Sequence, residues 1–141
     1  MLIYKTSVRV RYADTDQMKY VYNGKYFEYF EVGRTEMMRE LGLTYKEIED
    51  IGFLMPVLET KITYLSPAFY DELLEIQTIV SELPKVKVHI DHVIKSLDRD
   101  VEVVKGYVEL AFINTQTMKP TRAPRIFLDA ISKYFNNEIQ Q

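Results

Sequence analysis

The feature that most constrains this chain is a change of hydrophobic period near Asn23. Beyond it, Tyr26, Phe30, Gly33, Met37 and Leu41 recur at spacings of four, three, four and four. Such spacing lines one face of an α-helix and predicts a long amphipathic helix. Lys25, Glu28, Glu36 and Arg39 fall largely away from the stripe, and Gly42 is a stop signal. Gly33 inside the stripe weakens the helix, so its presence there predicts close packing against another element. A short helix is expected over residues 45–51, with Thr44 as its N-cap, and a terminal amphipathic helix over residues 126–139.

Around these helices the pattern is that of strands. Residues 2–12 place Val8, Val10 and Tyr12 on one face and Ser7, Arg9 and Arg11 on the other. Residues 54–65 form a second strand with Pro56 near its start, and Leu65-Ser66-Pro67 marks a turn. Leu74, Ile76, Thr78 and Val80 alternate with Glu75, Gln77 and Ile79, and Val86, Val88 and Ile90 alternate with Lys85, Lys87 and His89. Asp98-Arg99-Asp100 reads as a hairpin turn, and Val104, Gly106, Val108, Leu110 and Phe112 continue beyond it. The order is strand, long helix, about four mostly antiparallel strands, helix. It predicts an α+β fold, one sheet packed on one main helix, as a single domain over residues 1–141. One helix covers one face of the sheet, so a homo-oligomer is expected.

Composition narrows the function. A net charge of −3 argues against a nucleic-acid binder, because phosphate neutralisation needs a basic surface. Absence of Cys excludes thiolate metal sites and a Cys nucleophile. No run approaches the ~20 apolar residues a membrane helix requires, and the N-terminus alternates rather than forming a signal-peptide core. A cytoplasmic protein without a membrane span is expected.

Chemistry is concentrated just ahead of the long helix. Asp14 and Asp16 sit in a polar loop, residues 13–19, that feeds the helix start. A helix start offers unpaired N–H groups and a positive dipole end, which can polarise a carbonyl oxygen. A carboxylate beside it can attack the carbonyl carbon or activate water. On spacing alone, however, a loop or capping role for either Asp outweighs a catalytic one, since Asp is common before helices. His89 and His92, three apart on a strand, face opposite sides and make a poor metal pair; His89 is expected in solvent and His92 hydrogen-bonded and partly buried. None of the serines lies in a Gly-x-Ser-x-Gly setting, and no Gly-rich phosphate loop is present. Lys61, Lys85, Lys87, Arg122 and Arg125 are cations able to meet phosphates, although each reads individually as solvated surface.

Two stretches carry more than periodicity. Residues 11–18, Arg-Tyr-Ala-Asp-Thr-Asp-Gln-Met, followed by residues 21–34, Val-Tyr-Asn-Gly-Lys-Tyr-Phe-Glu-Tyr-Phe-Glu-Val-Gly-Arg, form the first. Pro56-Val57 through Tyr64-Leu65-Ser66-Pro67-Ala68-Phe69-Tyr70-Asp71-Glu72-Leu73 forms the second. Together they resemble the hot-dog-fold acyl-CoA thioesterases, most closely the 4-hydroxybenzoyl-CoA thioesterase family and relatives acting on short or long acyl-CoAs. The resemblance implies an antiparallel sheet wrapped around a long central helix. It also implies hydrolysis of an acyl-CoA to free acid and CoA, with Asp16 as nucleophile or general base and the backbone N–H at Asn23 polarising the carbonyl. Tyr22, Gly24 and Tyr26 would contact substrate. Asp14 would order the loop, and Glu31 and Arg34 would support the helix. The resemblance implies a homodimer or homotetramer, no metal, and no cofactor other than the coenzyme A of the substrate. Many members have Gly where this chain has Lys19, and His or Asn at the Asn23 position. Three other readings compete. A hydroxyacyl dehydratase would need a His near the helix, an acyl-carrier-protein thioesterase would share the chemistry, and a non-catalytic acyl-CoA-binding protein would lack it.

Overall fold

A computed structural model describes residues 1–139, with side chains through Phe135. Strand β1 (Leu2–Arg9) leads through a 3₁₀ turn (Tyr12–Asp14) to helix α1 (Lys25–Glu40) and the short α2 (Tyr45–Asp50). Strands β2 (Phe53–Leu54), β3 (Val57–Tyr64), β4 (Leu73–Val80), β5 (Lys87–Ser96), β6 (Val101–Ala111), β7 (Ile113–Asn114) and β8 (Lys119–Pro120) follow, and α3 (Arg125–Ile139) closes the order. Five strands form one antiparallel sheet in the order β1-β4-β5-β6-β3, and β2, β7 and β8 form a small second sheet. Helix α1 lies across β1, β4 and β5.

A helix of this length is marginal alone in water, so its stability comes from the face it buries. Tyr26, Phe30, Gly33 and Met37 are all buried, as the stripe predicts. Each large apolar side chain so buried contributes roughly 1.5–3 kcal/mol. Gly33 is the close-packing point: a Cβ there would stand 2.6 Å from Thr78 Oγ1 and 2.8 Å from Ile76 Cγ2. The helix stops where expected, with Gly42 at a φ of 76°. Thr44 caps α2 by accepting the Glu47 N–H at 3.2 Å.

The structure departs from expectation in four places. The first strand ends at Arg9, and the 3₁₀ turn carries Tyr12 out to 79% exposure instead of along the buried face. The strand expected over 54–65 divides at Pro56, which has no N–H for a ladder; β2 leaves for the small sheet. The 85–90 strand begins only at Lys87, because the Lys85 carbonyl accepts the Ala123 N–H at 2.6 Å. Finally, α1 begins at Lys25, two residues beyond the change of period. Among the described residues no helix is long and apolar enough to cross a membrane.

Candidate active site

Asp14 anchors the loop. It is buried, accepts the Arg11 N–H at 3.0 Å and the Tyr29 hydroxyl at 2.9 Å, and pairs with Arg11 Nη2 and Lys25 Nζ, each at 3.2 Å. Its own carbonyl accepts the Tyr22 N–H at 2.9 Å. Burial alone would raise its pKa, but the donors from Arg11, Tyr29 and Lys25 outweigh it and hold the carboxyl below its usual range. Burial, then the bond to Asp14, pushes the Tyr29 hydroxyl up. Asp14 thus ties the chain just beyond β1 and the first turns of α1 together through its carboxylate, and the approach to α1 through its carbonyl.

Asp16 sits in a tight turn built by its own backbone. Its N–H donates to the Tyr20 carbonyl at 3.0 Å, and its carbonyl accepts the Lys19 N–H at 2.9 Å. Its Oδ1 accepts the Met18 N–H at 2.8 Å, which fixes the side chain. Oδ2 has no hydrogen-bond partner among the described residues. Lys19 closes this turn with a φ of 71°, the left-handed region that favours glycine.

The helix start faces the same space. Gly24 occupies the N-cap position and offers no capping side chain. The Tyr22 carbonyl accepts the Lys25 N–H at 2.9 Å, and the Asn23 carbonyl accepts the Tyr64 hydroxyl at 3.1 Å. The N–H groups of Asn23 and Gly24 have no partner among the described residues. They are therefore open donors at the positive end of the helix dipole. A pocket of about 560 Å³ has Asp16, Tyr22, Asn23, Tyr26 and Tyr64 in its lining, with Leu65 and Pro67 on its far side. Tyr26 is buried, its ring edge-on to Tyr64 at 5.9 Å, and burial pushes its hydroxyl up to about 12.

The far wall is braced by a buried acid, Glu72, that the sequence marks only as part of a matching stretch and gives no role. Glu72 accepts the Phe69 N–H at 2.8 Å, pairs with Arg99 Nε at 3.0 Å and accepts the Ser96 hydroxyl. Burial opposes ionisation, yet Arg99, Ser96 and the Phe69 N–H together keep its pKa below the usual value. Arg99 also donates to the Pro67 carbonyl at 2.6 Å and lies 5.1 Å over the Phe69 ring. Tyr64 is the other residue missed, being noted only within a matching stretch. No local pattern marks either one, because Asn23 for Tyr64, and Ser96 and Arg99 for Glu72, lie far away in sequence.

The remaining candidates lie elsewhere. Glu31 is exposed, and Arg34 is half-buried with its charge felt by Tyr45 and His92; the two form no ion pair among the described residues. His89 is exposed between Glu109 and Asp91, each at 3.1 Å. His92 faces the other side, 1% exposed and 3.2 Å from Thr78 Oγ1; it is more deeply buried than expected because Phe30 stacks on it at 4.5 Å. No metal-binding group of three or more His, Asp and Glu exists among the described residues. Lys85 and Lys87 line a separate hollow of about 550 Å³ that shares no residue with the Asp16 pocket. Lys61, Arg122 and Arg125 do not line the Asp16 pocket either.

A sheet wrapped on a long helix, whose start meets a carboxylate-bearing loop, is the α+β hot-dog architecture. The chain belongs to the thioesterase-like superfamily, whose family pattern matches residues 10–131. It is 31% identical over 121 residues to the acyl-CoA thioesterase YbgC of Haemophilus influenzae, covering 84% of this chain and 86% of that protein. It is 39% identical over 82 residues to the putative acyl-CoA thioesterase YneP of Bacillus subtilis, covering 58% of this chain and 59% of that protein. Among solved structures it is similar to the DHNA-CoA thioesterase of Staphylococcus aureus, with a TM-score of 0.87, 32% identity, and coverage of 98% of this chain and 95% of that one.

Proposed function

We propose that the protein hydrolyses acyl-CoA thioesters to the free acid and CoA. One observation carries this reading: a carboxylate with a free oxygen, Asp16, and a residue with an open N–H at a helix start, Asn23, line a single pocket. The thioester oxygen accepts the Asn23 N–H, which stabilises the negative charge that develops there; one such donor is worth about 3–4 kcal/mol of barrier. Asp16 then either attacks the carbonyl carbon, giving an acyl anhydride that water opens, or draws a proton from the water that attacks. In both routes the carbon–sulfur bond breaks and the CoA thiolate leaves to be protonated. Tyr22, Gly24 and Tyr26 contact the acyl group, and the chemistry calls for no metal or other cofactor. A homodimer or homotetramer would complete the pocket. The edge position of β3 and the exposure of its Val57, Leu58 and Tyr64 support that reading.

The test is thiol release from a panel of acyl-CoAs by the wild-type enzyme and Asp16→Asn. The variant is expected to lose on the order of 10²–10⁴ in kcat. Full activity in the variant sinks the role of Asp16. Release from an acyl carrier protein but not from CoA would reassign the carrier, and tight binding without release would make the protein a binder.

A further inference from the structure

We propose that Tyr64 is a positioning residue for the oxyanion site, an inference that rests on the thioesterase reading above. Tyr64 comes from the end of β3, 41 residues after Asn23. Its hydroxyl donates to the Asn23 carbonyl at 3.1 Å. That carbonyl belongs to the same peptide unit as the Gly24 N–H. A hydrogen bond donated to one end of a peptide holds its plane and strengthens the donor at the other end. The preceding peptide is held in the same way, since the Lys25 N–H donates to the Tyr22 carbonyl at 2.9 Å while the Asn23 N–H stays open. Two consecutive peptides are therefore each pinned through the carbonyl and open through the nitrogen.

The difference between the two pins is their origin. The Tyr22–Asn23 peptide is fixed from within the helix start itself. Among the described residues, the Asn23–Gly24 peptide is held only by a side chain from the sheet. Gly24 adds no side chain that could compete, and a Cβ there would stand 2.8 Å from the Tyr22 ring. The Tyr64 ring is held edge-on against buried Tyr26, which in turn is edge-on to Tyr29 at 5.8 Å. Tyr29 bonds Asp14, so the hydroxyl that pins the peptide is braced by the anchor of the catalytic loop. In this proposal the Gly24 N–H, one peptide beyond the pocket-lining Asn23, is a second donor to the oxyanion, dependent on Tyr64.

The experiment is steady-state hydrolysis by Tyr64→Phe, which keeps the ring and removes the hydroxyl, beside the wild type and Asp16→Asn. Tyr64→Phe is expected to lower kcat about 3- to 10-fold, the change one neutral hydrogen bond carries, with KM essentially unchanged. A kcat equal to wild type, or a loss expressed wholly in KM, overturns the proposal. A wild-type protein that hydrolyses no acyl-CoA overturns the thioesterase reading instead, and an Asp16→Asn variant that retains full activity overturns only the role of Asp16. As a variant of unchanged shape, 3-fluorotyrosine at position 64 is a stronger donor and is expected to keep kcat at or above wild type. A kcat as low as that of Tyr64→Phe overturns the hydrogen bond as the cause.

Discussion

Lys19 holds a backbone conformation that its side chain disfavours. Its φ of 71° closes the turn whose first residue is Asp16, a conformation that suits the glycine the resemblance implies at this position. A non-glycine residue in this region costs about 1–2 kcal/mol, partly offset by the extra freedom glycine has when unfolded. Lys19→Gly is therefore expected to raise unfolding free energy by about 0.5–1 kcal/mol, read in a urea titration. A loss of stability would show that the lysine side chain contributes more than its strain. Asp14 and Asp16 make the complementary point. They are the same residue two positions apart, yet one is buried under donors from three residues and the other keeps an open oxygen. The sequence could place both ahead of a helix but could not say which was which; only the resemblance separated them.

At the scale of elements, the pairing of β3 with β6 decides the wall of the pocket. Gly106 pairs with Ile62, and a Cβ on Gly106 would fall 1.9 Å from the Lys61 carbonyl oxygen, which is backbone and cannot rotate away. Gly106→Ala is expected to push β3 off β6 and cost about 1–3 kcal/mol or more. Because β3 delivers Tyr64 to Asn23, kcat should fall as well; thermal unfolding and thiol release on the same preparation check both. Unchanged stability would mean the strands separate freely at that point. In the sequence Gly106 is one apolar position in an alternating strand, with no sign that another backbone approaches it. The helical stripe was more informative: Gly33 stood out because helix propensity disfavours it, and its close contact with Thr78 and Ile76 followed.

At the scale of the whole molecule, the buried histidine under α1 sets how stability responds to acid. Burial foremost, then the charge of Arg34, pulls the His92 pKa down from 6.5 to about 3. The unfolded chain therefore binds a proton between about pH 6.5 and 3 that the folded chain refuses, so stability falls as pH drops through that window. Its steepest slope is about 1.4 kcal/mol per pH unit. His89 acts in the opposite sense: although burial lowers its pKa, Glu109 and Asp91 raise it overall. His89→Gln removes that opposing contribution. In this variant, urea unfolding at pH 7.5, 6.5 and 5.5 is expected to show a steady loss of stability on acidification. Asp14 and Glu72 take effect only lower, as pH falls through their reference values of 3.8 and 4.5. A flat profile above pH 5 would mean His92 accepts a proton in the folded state.

The amino-acid sequence by itself determined the long helix, the buried faces of the main strands and the loop that brings Asp16 to a helix start. Each of these follows from a local repeat, since a period of 3.6 or 2 states which face of an element leaves water. Only the tertiary structure decided what stands across from those faces. Tyr64 at Asn23, Arg99 and Ser96 on Glu72, Thr78 beneath Gly33 and the Lys61 carbonyl beside Gly106 are all meetings between distant segments. Such partners are selected by strand register and by the packing of α1 on the sheet. Their free energy exists only once the chain has closed, so no local pattern records it.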